Sequence, residues 1–485
     1  MSKFISTRYV STRGHTKTDG AKGFEDVLLT GLAPDGGLYV PENWPEFSAA
    51  ELRNLAGKPY IDVASAVMWP FVEGSITRED FDKIVAQTYS REVFDHQSVT
   101  PLVQLNSKLW LMELHRGPTI AFKDVALQML GRLFDHVLKK RGERVTIVGA
   151  TSGDTGSAAI EGCKSCDNVD VFILHPAGRV SDVQRKQMTT INAPNVFNLA
   201  IDGTFDDCQN AVKDMFNDHD FRGEMSLSAI NSINWARIMA QIVYYFTTAL
   251  ALGIDGSAPD KKISFSVPTG NFGNVFAAHC ARKMGLPIDK LIISTNKNDI
   301  LTRFFETGEM KMDGVDATLS PSMDIQISSN FERYLFELFD RDDAKLRQAM
   351  ETFKSTGTFK IDDNLLALAK NDFLSHRCND EDTLEIIREC YADTGEILDP
   401  HTAVGLSAAL AYQDKIDGPI ISLACAHAAK FPDAVEKAIG IRPPLPEKMS
   451  DLFAREEILT TLPNDLAEIQ SFIRENARIS KKDAA

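Results

Sequence analysis

An α/β fold, a parallel sheet covered by helices on both faces, is what three features of this 485-residue sequence predict. Short β-branched or apolar runs alternate with helical patterns: Val145 to Val148, Val169 to Leu174, Val196 to Ile201, Ile263 to Val267, Leu291 to Ser294 and Ile420 to Ala424. Such alternation builds parallel sheets, because each crossover helix covers a face. Two glycine-rich segments each follow one of these runs and precede a helical pattern, and ligands gather at the carboxyl ends of such strands. The run HRGPTIAFKD, His115 to Asp124, sets Lys123 between a tight turn and a long helix.

The helix after Lys123 shows its apolar face at Val125, Met129, Leu130, Leu133, Phe134, Val137 and Leu138, with Gly142 as its stop. Lys139, Lys140 and Arg141 fall in its last turn, where they compensate the helix dipole. From Ser6 to about Leu102 the chain reads as an N-terminal cap, with a turn-rich loop GLAPDGGLYVPE, Gly31 to Glu42. The stretch Ile238 to Ile254 is the most apolar; it is interrupted by Gln241 and falls short of the roughly 20 residues that span a bilayer, so it predicts a buried helix. Residues 299 to 399 read as mostly helical, and the polar tail after Pro443 as helical with a frayed KKDAA end.

At about 150 residues per domain the length predicts two or three domains. A composition of 44% hydrophobic and 25% charged residues is that of an ordinary globular protein. The net charge of -16, without an isolated basic patch, argues against nucleic acid or anionic membrane as a partner. Met1 to Gly20 lacks the apolar core of a secretory signal, so a cytoplasmic chain is expected. Seven cysteines without framework spacing fit free thiols. Cys163 and Cys166 form an isolated CxxC with no second pair at zinc-site spacing, and the ten histidines include no ligand cluster, so no metal is expected.

Lys123 lies beside Ala121 and Phe122, an apolar setting that helps free its amine for imine formation and proton transfer. Asp124 reads as a capping or pairing residue. In SVPTGNFGN, Ser266 to Asn274, Gly270 and Gly273 let successive N–H groups converge on an anion at a helix start, which suits a phosphate; a plain strand-to-helix turn would read the same. The loop GATSGDTGSAA, Gly149 to Ala159, adds the hydroxyls of Thr151, Ser152 and Thr155. It lacks both the GK[ST] ending and the GxGxxG spacing of nucleotide loops, so it suits a small carboxylate, or is simply a capped helix. A lysine able to form an imine, with two backbone cradles for anions, is what pyridoxal phosphate and an amino acid require.

HRGPTIAFKD, GATSGDTG, NSINWARI (Asn231 to Ile238), PTGNFGN and LACAHAAKF (Leu423 to Phe431) together resemble the threonine synthase family, pyridoxal-phosphate lyases of fold type II. The resemblance runs from STRG and DGGLYVPE to the last strand and is closest to the longer bacterial and fungal branch. It implies a cap domain over residues 1–100, a large α/β domain over 101–145 and 200–445 with a helical insertion near 300–400, a small mobile α/β domain over 146–199, and a helical tail over 446–485. Parallel or mixed sheets covered by helices are implied in both α/β domains. Lys123 matches the Schiff-base lysine, and Gly270, Asn271, Phe272, Gly273 and Asn274 match the loop holding the cofactor phosphate. Ser152, Gly153, Asp154 and Thr155 match the segment that binds the substrate carboxylate and the cofactor's ring oxygen, with Asp154 where many relatives have Asn, and Thr151 is a further candidate for the substrate. Cys425 stands where the family usually has a Thr against the pyridine nitrogen, and Ala428 where it has a proline. The thiol, a weaker donor, is expected to retain activity with altered cofactor affinity or electronics.

The implied reaction converts O-phospho-L-homoserine and water to L-threonine and phosphate through an aldimine, γ-elimination and β-hydration. Arg179, Ser181, Arg185 and Lys186, in HPAGRVSDVQRKQM, are candidates for the substrate phosphate, or a solvated charged surface. The expected partner is this small molecule, in a monomer or homodimer. Two alternatives stay open: another fold-type-II lyase such as a serine/threonine dehydratase, and a non-catalytic paralogue that binds a phosphorylated amino acid.

Overall fold

The alternating apolar runs close into two sheets that belong to two compact units. The computed structural model describes residues 7–258 and 260–481. Expectations for the first six residues and for the end of KKDAA lie outside the described residues. One unit comprises the chain up to Arg116 together with Ser232–Pro443, the other Gly117–Asn231 with the segment from Pro444 onward.

The first unit is built on a six-stranded sheet in the order Phe373–Arg377, Ile288–Thr295, Ile263–Pro268, Ile420–Ala424, Leu109–Glu113, Leu102–Gln104. All neighbours are parallel except the last pair, a short hairpin. The expected apolar helix forms as Trp235–Ala251 and is buried along nearly its whole length. Pro400–Tyr412 packs so closely on the sheet that a Cβ at Gly405 would lie 2.8 Å from the Pro268 ring. The N-terminal segment is tied in by polar contacts: Thr12 Oγ1 and Arg13 both donate to Glu332, at 2.6 Å each, and Asn234 Nδ2 donates to the Leu28 carbonyl at 2.8 Å.

The second unit holds a five-stranded parallel sheet in the order Thr460–Pro463, Val196–Asp202, Val169–Pro176, Val145–Ala150, Leu227–Ser228. Its central strand is buried at every position, the pattern of a strand covered on both faces. The helix Lys123–Arg141 ends at Gly142, whose φ of 68° is left-handed, as its sequence predicts. It crosses the helix Asp154–Cys163 at two glycines: a Cβ on Gly131 would lie 2.0 Å from the Gly162 carbonyl oxygen, and one on Gly162 2.5 Å from that of Leu127.

This unit is wider than the small domain expected over 146–199, because the Lys123–Arg141 helix and the strands Val196–Asp202 and Leu227–Ser228 pack with it. The tail expected to be helical also contributes the edge strand Thr460–Pro463, and Ile469 and Ile473, four apart on Leu466–Asn476, join the core of Phe172, Leu199 and Phe221. Phe373–Arg377, within a stretch read as helical, is an edge strand of the six-stranded sheet. Its residues FLSHR include no β-branched side chain, so local propensity does not announce it. The first cysteine of the CxxC ends the helix Asp154–Cys163 and Cys166 follows it, and both thiols are free and buried.

Gly→Ala inside a helix ordinarily stabilises by up to about 1 kcal/mol. At Gly131 the sign is expected to reverse, with Gly131→Ala lowering stability by about 2 kcal/mol because the new Cβ meets backbone. Urea unfolding of the variant beside the parent checks this.

Candidate active-site residues

In the second unit, the turn before Lys123 is shaped by the residue after it. Asp124, fully buried, accepts the Thr119 N–H at 2.8 Å and the Thr119 hydroxyl at 2.7 Å, while Gly117 leaves no room for a Cβ against it. Ile120 is held at a φ of 53°, an outlier for a β-branched residue and the kind of strain that functional loops carry. Lys123 then opens its helix with a buried side chain, its Nζ 3.1 Å from Asp154 Oδ2.

The other oxygen of that carboxylate is also directed. Gln184 Nε2 donates to Asp154 Oδ1 at 2.8 Å, and Ser181 Oγ donates to Gln184 Oε1 at 2.8 Å. The two bonds fix which end of the Gln184 amide faces Asp154. Gly153, at a φ of 138°, lets the loop lie against Gln184, since a Cβ there would meet Gln184 Cδ at 2.6 Å. Thr151 Oγ1 accepts the N–H groups of Gly153 and Gly156 at 3.0 and 2.9 Å, so its hydroxyl shapes the loop. Ser152 is exposed and Thr155 half-buried.

Three of the four candidates for the substrate phosphate have partners of their own. Ser181 caps the helix Asp182–Thr189, and Arg179 is exposed. Lys186 donates to the Arg455 carbonyl at 3.0 Å and lies 3.3 Å from Glu457, which Arg185 also approaches at 3.5 Å. Lys186 and Arg185 therefore anchor the C-terminal tail of their own unit.

In the first unit, residues 270–274 form a backbone cradle. Phe272 has a φ of 59°, and Gly270 is so close to the 3₁₀ turn Pro321–Met323 that a Cβ would lie 2.8 Å from the Ser322 carbonyl oxygen. Ser328 Oγ donates to the Gly270 carbonyl at 2.7 Å, and Asn330 donates to the Asn271 carbonyl from its backbone at 3.0 Å and from its side chain at 2.9 Å. The carbonyls of the loop are thereby occupied, and its N–H groups begin the helix Gly273–Lys283.

Two buried side-chain nitrogens, one on Asn274 of this loop and one on Arg237 of the helix Trp235–Ala251, have no hydrogen-bond partner among the described residues. Tyr244 and Tyr245 both donate to Asn274 Oδ1, the latter at 2.7 Å, so its amide is oriented and Nδ2 is the buried donor left over. Arg237 is buried without a hydrogen bond to its Nη1, and burial pushes its guanidinium down to about 10. Arg333 is equally buried, yet it donates to the carbonyls of Tyr39 and Ile233, at 2.9 and 2.6 Å, and to Asn330 Oδ1. Unpaired buried donors are costly, and here they fit an anionic ligand such as a phosphate. Cys425, just past the strand Ile420–Ala424, is buried; its N–H donates to Thr402 Oγ1 at 3.0 Å and its thiol to the Leu423 carbonyl at 3.6 Å.

Arg237 and Gln184 went unassigned in the sequence. Arg237 had a usable signal, a lone cation in the apolar run WARIMAQIVYYF; Gln184 had none.

Family comparisons cover most of the chain. Residues 8–89 match the threonine synthase N terminus, 93–358 the pyridoxal-phosphate dependent enzymes, and 402–473 the threonine synthase C-terminal family. The chain is 54% identical to the threonine synthase of Pseudomonas aeruginosa, over 98% of this chain and 99% of that protein. It is 41% identical to that of Corynebacterium glutamicum, over 96% and 98%. Among solved structures it is similar to the PLP-bound threonine synthase of Brucella melitensis, with a TM-score of 0.94, 51% identity and coverage of 98% and 100%. The yeast threonine synthase gives 0.91 and 40%, over 97% and 99%.

His279, on the helix that follows the cradle, lies among Phe276, Tyr334 and Phe373 with both ring nitrogens unpartnered among the described residues. Burial, then Lys283 and Arg282, pushes it down to about 3. Below its ordinary value near 6.5 the unfolded chain takes a proton that the folded chain refuses, so stability is lost as pH falls from about 6.5 toward 3. Urea titrations at pH 7.5 and 5 are expected to show His279→Leu losing about 2 kcal/mol less than the parent between those values.

Proposed function

Because the chain belongs to the threonine synthase family of pyridoxal-phosphate-dependent enzymes, we propose that it converts O-phospho-L-homoserine and water to L-threonine and phosphate, with Lys123 as its catalytic amine. The observation that carries the role of Lys123 is its buried amine at a helix start, 3.1 Å from a carboxylate that Gln184 orients. Pyridoxal phosphate, when bound, supplies the electron sink that stabilises negative charge at Cα and Cβ of the substrate. The protein supplies the rest. Lys123 holds the cofactor and, when its amine is free, takes and returns protons at those carbons. Asp154 accepts from the amine and keeps it directed.

Residues 270–274 hold the cofactor phosphate through backbone N–H groups, with Asn274 Nδ2 as a side-chain donor. Thr151, Ser152, Gly153 and Thr155 are assigned to the substrate carboxylate. Cys425 takes the place beside the ring nitrogen, where a thiol, unlike a carboxylate, leaves that nitrogen largely unprotonated. Arg237 is assigned to a phosphate, in preference to Lys186 and Arg185, whose charge is already met by Glu457. The proposed substrate is a small molecule, and the net charge of -16 disfavours nucleic acid as a partner. Seven free cysteines fit the reducing cytoplasm, and no helix among the described residues is long and apolar enough to cross a membrane.

The test is phosphate release and threonine formation from O-phospho-L-homoserine, with and without added pyridoxal phosphate. Threonine that depends on the cofactor and is lost in Lys123→Ala is the expected result. A yellow protein that borohydride reduces at Lys123 but that forms no threonine would reject the substrate. In the same assay Arg237→Met is expected to lower kcat/KM about tenfold or more, the loss of one charge-assisted hydrogen bond.

A further inference from the structure

Asp399 is fully buried in the first unit and caps the helix Pro400–Tyr412. A cap needs only one or two backbone N–H groups, and here the carboxylate takes two, from His401 at 3.0 Å and Thr402 at 3.3 Å. It takes two side chains as well. His401 Nδ1 lies 2.9 Å from Oδ1, and the Thr402 hydroxyl donates to Oδ2. Four bonds fill the acceptor capacity of a carboxylate.

Each of those side chains passes the constraint onward. His401 Nε2 accepts the Ser322 N–H at 3.1 Å, which assigns the ring proton to Nδ1, facing Asp399. Ser322 is the residue whose carbonyl oxygen stands 2.8 Å from where a Cβ of Gly270 would be, so it forms the wall behind the cradle. Thr402 Oγ1, its hydrogen directed to Asp399, accepts the Cys425 N–H at 3.0 Å and so places the end of the strand Ile420–Ala424. His401, Thr402 and Cys425 are all buried, and Phe431 packs on the His401 ring at 4.7 Å between centroids.

We propose that Asp399 is a positioning residue that sets two ends of the cofactor's seat independently, the wall behind Gly270 through His401 and the strand end at Cys425 through Thr402. The proposal rests on the reading of residues 270–274 and Cys425 as cofactor contacts. It differs from a general structural role in predicting that the two arms have separate signatures. The His401 arm governs how tightly the phosphate end is held. The Thr402 arm governs the environment of the ring.

Two readouts on the holoenzyme separate them: cofactor release after dilution, followed by the decay of its absorbance, and the position of its absorbance band. His401→Phe is expected to speed release about tenfold or more without moving the band. His401→Gln, which keeps an acceptor for the Ser322 N–H, is expected to return release to within about threefold of the parent. Thr402→Val is expected to move the band while changing release less than about threefold. The relay is overturned if His401→Phe, with a parent-like circular dichroism spectrum, releases cofactor at the parental rate, if Thr402→Val leaves the band in place, or if both variants move both readouts together. Asn274→Ala shows which reading has failed. Faster release in Asn274→Ala with none in His401→Phe rejects the relay alone, whereas no effect in either rejects the phosphate-loop reading and the relay with it.

Discussion

The backbone contact between two helices at Gly131 and Gly162 is the constraint on which the pairing of Lys123 with Asp154 in the second unit depends. Those helices begin with Lys123 and Asp154, and a crossing without side chains brings their axes close enough for the amine and the carboxylate to meet at 3.1 Å. The approach is set by backbone on both sides, so it has no rotamer through which to relax. Around it the polar groups are arranged to leave no freedom either. Asp124 closes the turn before Lys123, and Gln184, oriented by Ser181, holds the second oxygen of Asp154. The role proposed for Lys123 needs support of this kind, because a small displacement of a reacting amine costs far more rate than stability.

In the first unit the same principle appears in how buried polar groups are satisfied. Arg333 is met on all sides by oxygen acceptors and acts as a fastener between the N-terminal segment and the helix Phe331–Leu338. Arg237 and Asn274 are buried among similar neighbours and left incomplete. Buried donors left unsatisfied call for a partner, and a bound anion is the one proposed for these two. Asp399 belongs with the satisfied groups, but its bonds lead outward through His401 to Ser322 and through Thr402 to Cys425, the places proposed to hold the cofactor.

Much of this was legible in the chain. Six strands of the two sheets announce themselves by β-branched or apolar runs, the long helices by apolar spacing, and the stop at Gly142 by glycine after a basic turn, whereas Leu109–Glu113, inside the six-stranded sheet, has no β-branched residue and was not read. Lys123 and residues 270–274 could be nominated from the sequence because one opens a long apolar helix and the others form a glycine-bearing strand-to-helix loop. The strands Phe373–Arg377 and Thr460–Pro463 were not readable, since each is short, lies at a sheet edge and draws its stability from a partner distant in sequence. Lys186 looked like an anion-binding residue until Glu457, far along the chain, was seen to take its charge.

By itself the sequence determined the fold class, the family and the cofactor, and it nominated Lys123, because each rests on local pattern: periodicity, turn chemistry, and motifs whose residues lie side by side. Only the tertiary structure decided which strands share a sheet, which cations keep a free charge and which carboxylate is held for which partner. Those are outcomes of competition among groups far apart in the chain. A hydrogen bond such as that between Gln184 and Asp154, or His401 and Ser322, exists only once packing has removed water and every other acceptor from reach.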